Sequence, residues 1–555
     1  NGCLGAQRTI TITVDPEPVV ATNLNATVCS DNMVNLLLNT NGTSVAAANY
    51  NIVNRIVAGG LTPVTQVAVP ASNVAANYLQ NEVYRNTSNS SLTVQYVVQG
   101  VGTINGCLGD QRTITMTIAP EPVISTTLDK AVCSDQAIAL VLNTNGTSVA
   151  ALNYDIVNRV VAGGLVVISQ QPLANGVAPN YLQNDIYQNT GNVPLDVVYT
   201  VEATGTISGC RSDPRVITVT INPEPVMDPG LNIPNLCSGL PSGLTLNTNG
   251  TSVGAASYNI TTITVDAGLT ANGGNAPVPA NGAAANYLSN HIFTNTGPVP
   301  LNVVYRVIPL GPAACLGDFI DITVSIDPEP VVDPNLNTTV CSDQVSGIVL
   351  NTNGVSVAAL NYDITAVVDP SLTGVATTGN NLAANAIQND VFTNTTSGPL
   401  TVVYQVTPRS ATGCVGQPRS ITLTVRPEPV MSPSLNITRC SDLDFNVSLA
   451  TNGTSVPAAS YNVTNINVAA GLNPRAGNID PTGVPYNNVG PNFLAGDSFE
   501  NTTTGNLTVQ YTVVPVSPQA CVGDPLVITF TVQPEPVLDP GLSPAPVCSD
   551  VAAGV

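Results

Sequence analysis

Cysteine is the reactive residue that this sequence spaces most regularly. One set opens Cys-Ser-Asp or Cys-Ser-Gly, at Cys29, Cys133, Cys237, Cys341 and Cys440 (Cys-Ser-Gly only at Cys237). A second set, in Gly-containing turns, alternates with the first along the chain, at Cys107, Cys210, Cys315, Cys414 and Cys521. Two thiols in fixed places, again and again, read as disulfides made in an oxidising, extracytoplasmic compartment. Thiolate metal binding is not expected, because no Cys-x-x-Cys spacing occurs and the chain holds a single histidine, His291. That lone imidazole also leaves no recurrent general base. No phosphate-binding glycine loop and no repeating Cys-His or Ser-His-Asp combination is present, so the reading is of a non-enzyme without a cofactor. Calcium stays open as the alternative to solvated turn capping at Asp31, Asp110, Asp228 and Asp333, although no Asp-x-Asp-x-Asp run supports it. The Asn-x-Ser/Thr triplets, such as Asn41-Gly42-Thr43 and Asn394-Thr395-Thr396, read as turns first and glycan acceptors second.

The elements that place these residues follow from self-comparison. Pro-Glu-Pro-Val recurs at Pro16, Pro120, Pro223, Pro328, Pro427 and Pro534. The period is about 100 residues, far longer than the units of most repeat arrays. The expected division is therefore the end of a preceding repeat at 1–15, five repeats at 16–119, 120–222, 223–327, 328–426 and 427–533, and the start of a following repeat at 534–555. Such a period suits a self-contained β-sandwich rather than a solenoid unit. Runs such as Leu92–Val98 and Thr113–Ile118 alternate with a period of two, Asn-Gly and Pro-rich stretches punctuate them, and no helical stripe appears. The fold class expected is all-β: a tandem array of immunoglobulin-like sandwiches forming an extended rod. Recurring tyrosines (Tyr96, Tyr199, Tyr305, Tyr404, Tyr511) read as core rather than as sugar-stacking platforms.

Composition narrows the partners. With 14 Lys+Arg against 35 Asp+Glu the net charge is −21, which repels phosphate backbones and anionic lipid, so nucleic-acid binding is not expected. Apolar stretches such as Val160–Ile168 are about half of the ~18 residues a spanning helix needs, so no membrane span is expected in this sequence. Nothing near Asn1 resembles a signal peptide, and the sequence reads as a window cut from a longer chain.

Each junction carries two prolines: Pro120 and Pro122, Pro223 and Pro225, Pro328 and Pro330, Pro427 and Pro429. Each ring fixes φ at about −65°, which makes a stiff, extended connector with little slack. Three cysteine pairings are open. Bonding Cys107 to Cys133 asks a strand and a Pro linker to double back. Bonding within a repeat, as in Cys29 with Cys107, is the habit of sandwiches, but immunoglobulin topology puts those loops on the order of 30 Å apart. The third pairing joins the loop after the first strand of one repeat to the last hairpin loop of the next: Cys29 with Cys210, Cys133 with Cys315, Cys237 with Cys414, and Cys341 with Cys521. The reading leans to this inter-repeat scheme.

The combination of Val-Cys-Ser-Asp, Leu-Asn-Thr-Asn-Gly, Tyr-Asp-Ile, Phe-Thr-Asn-Thr, Gly-Cys-x-Gly-Asp and Pro-Glu-Pro-Val resembles the PKD-like, immunoglobulin-like repeats of giant Bacteroidota surface proteins, among them gliding-motility adhesins exported by type IX secretion. The resemblance implies an outer-membrane-tethered or secreted filament that extends adhesive modules. Expected partners are neighbouring repeats of the same chain, surface polysaccharide and outer-membrane motility machinery. Three roles remain: a structural stalk, a repeat array that itself binds polysaccharide or surfaces, and a polymerising filament or sheath subunit.

Overall fold

The computed structural model describes residues 4–536, 538, 539 and 541. Most of the stretch 534–555, expected to begin a following repeat, and residues 1–3 of the preceding one lie outside the described residues. The first unit contains β1 (Ala26–Cys29), β2 (Ala47–Val57), β3 (Thr62–Thr65), β4 (Ala71–Val74), β5 (Val83–Arg85), β6 (Leu92–Gly102) and β7 (Arg112–Ala119). Its main sheet has the order β1-β7-β6-β2-β4, and β3 pairs with β5 across the sandwich. In β6, Val94, Tyr96 and Val98 are fully buried and alternate with half-exposed residues, so one face of a β-branched strand fills the core while the other meets water. The opposing layer is the leucine-rich run, where Val34, Leu36 and Leu38 turn inward at every second position.

Four more sheets repeat this plan. Their strands run Lys130–Cys133, Arg215–Asn222, Leu195–Gly205 and Ala151–Val161; Ile233–Cys237, Ile320–Asp327, Leu301–Leu310, Ser257–Val265 and Ala280–Ala283; Thr338–Cys341, Arg419–Arg426, Leu400–Ser410, Ala359–Val368 and Gly379–Leu382; and Ile437–Cys440, Leu526–Gln533, Leu507–Val516, Ser460–Val468 and Tyr486–Val489. Each sheet closes over its own apolar core. The chain is thus a tandem array of β-sandwiches. Among the described residues one 3₁₀ turn, Pro481–Gly483, is the only helical element, and no helix is long and apolar enough to cross a membrane.

One detail departs from the expected topology. Immunoglobulin connectivity would put the first cysteine in a loop between the first two strands; instead it closes β1, which runs parallel to β7 with Ala26 opposite Met116 and Cys29 opposite Ala119. The following Cys-Ser-Asp turn needs a left-handed residue, filled by Asp31, Asp135, Asp343 and Asp442 at φ 61–69° and by Gly239 at 77°. Asp and Gly tolerate that region better than bulky residues do, which explains why only these two types stand there.

Beneath the recurring aromatics lies a polar network. Glu82, fully buried, accepts from the hydroxyls of Tyr84 (2.7 Å) and Tyr96 (2.5 Å) and from Arg55 Nη1 (2.6 Å). Asp185, Asp390 and Asp497 take the same place under Tyr199, Tyr404 and Tyr511. In the third unit His291 stands there: its Nδ1 meets the Tyr305 hydroxyl at 3.0 Å, while its buried Nε2 has no partner among the described residues.

Candidate functional site: the inter-repeat junction

Sequence features scattered along the chain converge where one sandwich meets the next. All eight junction prolines named above are buried, together with Glu121, Glu224, Glu329 and Glu428 between them. The glutamate N–H donates backward: Glu121 N to Asn86 O, Glu224 N to Asn189 O, Glu329 N to Asn295 O and Glu428 N to Asn394 O, at 2.9–3.0 Å. The valine N–H donates forward, to the Ser148, Ser252, Ser356 or Ser455 hydroxyl, at 2.9–3.0 Å. A backbone bond also crosses each junction directly, from Val149 N to Ser88 O, Val253 N to Gly191 O, Val357 N to Gly297 O and Val456 N to Thr396 O. The connector is therefore held at both ends rather than merely stiff.

Beside each connector lies a disulfide: Cys29–Cys210, Cys133–Cys315, Cys237–Cys414 and Cys341–Cys521, with Cα–Cα distances of 5.2–5.4 Å. Among the described residues Cys107 and Cys440 have no disulfide partner, although the sequence marks both as disulfide candidates. The reason is register: the pattern pairs a cysteine of the first set with one of the second set in the next unit, and this sequence holds no cysteine in that position for either. The loop carrying the second cysteine lies flush on the connector. At Gly416 an added Cβ would overlap the Pro330 carbonyl oxygen and press the Pro408 ring. Glycine also stands at this place in Gly317 and Gly523, whereas the second unit has Ser212.

Three carboxylates from separate segments meet at the junction: the Asp of Cys-Ser-Asp, the Glu of Pro-Glu-Pro, and an Asp three positions after the second cysteine. At the first junction they are Asp31, Glu121 and Asp213, and at the fourth Asp343, Glu428 and Asp524, with one oxygen of each within 4.8 Å of the others. Asp135, Glu224 and Asp318 correspond at the second; at the third, Gly239 and Gln417 leave Glu329 alone. Burial, reinforced by the neighbouring aspartates, pushes the Glu121, Glu224 and Glu428 carboxyls up to about 7. Glu329 is raised by burial.

What faces these carboxylates changes along the chain. Arg85 Nε lies 3.0 Å from Asp31 and 3.7 Å from Glu121, and its Nη2 lies 3.1 Å from Asp213. Gln188 takes that place at the second junction and donates to Asp135 and Glu224, both at 3.1 Å. At the fourth, Thr393 donates its hydroxyl to Asp343 at 2.5 Å.

Of the aspartates read as turn caps, Asp228 and Asp333 accept from Gly230 N and Asn335 N and lie in ordinary turns. Asp31 belongs to the junction cluster, and Asp110 occupies the place that Asp213 takes one unit later. Asn394 is fully buried, its Nδ2 donating to Val425 O and Gly398 O, so this triplet is a structural clamp rather than an accessible glycan acceptor. The glutamate cluster and the acids under the tyrosines are not evident from the residues alone. Their only signal there is the glutamate in every Pro-Glu-Pro-Val and the acid two positions before Tyr84, Tyr187, Phe392 and Phe499.

Comparison with known proteins adds one family. A PKD-like domain matches residues 338–429 and 486–536. No curated protein sequence matches the chain. Solved structures similar to it include the protocadherin gammaB4 extracellular domain (10% identity, 94% of this chain and 84% of that chain, TM-score 0.19). Others are Drosophila N-cadherin EC1-4 (9% identity, 73% and 100%, TM-score 0.17) and mouse cadherin-23 EC22-24 (12% identity, 57% and 99%, TM-score 0.20).

Proposed function

We propose that the chain is the structural stalk of an extracellular filament, a semi-rigid array that holds adhesive modules away from their anchor. The observation that carries this reading is that every junction between consecutive sandwiches combines a buried, doubly clamped connector with an inter-unit disulfide. A tether needing freedom would use a Gly/Ser-rich linker instead. Four disulfides fit an oxidising compartment outside the cytoplasm. The domain limits at 16, 120, 223, 328, 427 and 534 put one connector between each pair of units.

The finer assignment, a stalk within a cell-surface adhesin of the gliding-motility type exported by type IX secretion, rests on the motif resemblance. The net charge of −21, spread over the units, keeps parallel rods apart and limits edge-to-edge strand pairing. At roughly 40 Å per unit the five sandwiches extend about 200 Å. Negative-stain micrographs of the purified chain test the proposal: straight particles of that length support a stalk, whereas compact or freely jointed particles overturn it. A glycan array on one unit and on five separates the alternative, since binding by either makes the array itself the adhesive element.

A further inference from the structure

We propose that the fourth junction is a Ca²⁺ site built from Asp343, Glu428 and Asp524, in the place where the first junction carries a guanidinium. The first junction shows what such a cluster requires. Arg85 reaches all three of its carboxylates, so that pocket is occupied by a cation belonging to the chain itself. At the fourth junction the corresponding three carboxylates also come within 4.8 Å of one another, but the residue in Arg85's place is Thr393. Its hydroxyl satisfies one oxygen of Asp343 and brings no charge.

Glu428 supplies a second, separate observation. It is 2% exposed, and no N–H and no cation reaches its carboxylate from the described residues; its polar neighbours are the two aspartates and the Ser342 hydroxyl. A carboxylate buried without a counter-charge is costly unless a proton or a bound cation neutralises it. Asp343 and Asp524 are exposed, so the cluster is reached from solvent. Oxygen atoms bound to one Ca²⁺ at about 2.4 Å lie at most ~4.8 Å apart, and the three oxygens of this cluster lie within that limit. An all-carboxylate donor set is hard, and three side chains drawn from three turns suit the irregular coordination of Ca²⁺ better than the strict octahedron of Mg²⁺.

The other junctions do not repeat the arrangement. The second bridges its acids with the Gln188 amide, and the third has replaced both aspartates by Gly239 and Gln417. One site per chain is therefore expected, independently of whether the array serves as a stalk.

Calorimetric titration of the full chain with CaCl₂ and with MgCl₂, after treatment with EDTA, tests this. The expected result is one saturable Ca²⁺ site, with Mg²⁺ at least tenfold weaker. Glu428→Gln should weaken Ca²⁺ binding at least tenfold, and Thr393→Arg, which copies the first junction, should abolish it. The converse variant, Arg85→Thr, should raise the stoichiometry from one ion to two. Peptide mapping of the Cys341–Cys521 bond in each variant shows that lost binding is not a lost junction. No saturable binding in the parent chain, or binding that survives both Glu428→Gln and Thr393→Arg unchanged, overturns the site. An Arg85→Thr chain that still binds one ion overturns the equivalence of guanidinium and metal on which the proposal stands.

Discussion

At the scale of single residues, the informative positions are charges held where water does not reach. Glu82 is fully buried and closes a set of bonds to Arg55, Tyr84, Tyr96 and Val67 N. Removing it strands a partly buried guanidinium, so Glu82→Ala should cost about 3–5 kcal/mol in the first unit, read as faster hydrogen exchange from β6 and β7. His291 replaces the acid in the third unit, and burial holds its imidazole below the usual 6.5. The folded state favours the neutral ring. The stability this contributes is present above the unfolded value and is lost as pH falls below it. Between pH 7 and pH 5 the strands packed around His291 should lose protection; exchange profiles corrected for intrinsic rates check this. An acid two positions before Tyr84, Tyr187, Phe392 and Phe499 is visible in the sequence. Its role is not visible there, because nothing in a linear pattern shows that a turn is folded under a tyrosine pair.

At the scale of elements, the connector depends on the loop packed against it. Gly416→Ala would drive a methyl into the Pro330 carbonyl, and should lower the stability of the fourth unit by about 1–3 kcal/mol in urea unfolding. The buried connector glutamates titrate in the opposite sense to His291. Glu224 binds its proton more tightly folded, up to about 7, than the ordinary carboxyl at 4.5. Its contribution is present below 4.5 and lost as pH rises towards 7, by at most about 1.4 kcal/mol per pH unit. Glu224→Gln should flatten that loss in a pH series of thermal unfolding, whereas a parent chain whose second junction gains stability over the same range would contradict it.

At the scale of the whole molecule, the four disulfides overlap like staggered links. Cys29–Cys210, Cys133–Cys315, Cys237–Cys414 and Cys341–Cys521 each close a loop of 177–182 residues. With all four intact, the shortest covalent path from Cys29 to Cys521 follows the backbone only from Cys210 to Cys237 and from Cys414 back to Cys341. Those roughly 100 residues extend to about 360 Å at most, against about 1,800 Å for the roughly 490 residues between the same cysteines once reduced. Single-molecule pulling with and without dithiothreitol should show this fivefold difference. Long extension in the oxidised chain would mean that the bonds do not form as drawn. Such a limit suits a stalk under load, because units that open cannot release their full length.

The order of the units, their all-β character and the alternation of buried and exposed strand positions are legible in the residues, because period-two patterning and repeating turn residues act locally. Cysteine placement narrows the pairings to three but cannot rank them firmly, since the ranking depends on which loops share an end of the sandwich. That is decided by β1 running parallel to β7, which brings Cys29 to the end of the first unit that faces Cys210. The carboxylate cluster is likewise a product of tertiary structure. At the first junction its three members, Asp31, Glu121 and Asp213, come from two units and stand far apart along the chain. Their charges interact only because the connector, the turn after the first cysteine and the loop of the second are folded into one buried corner.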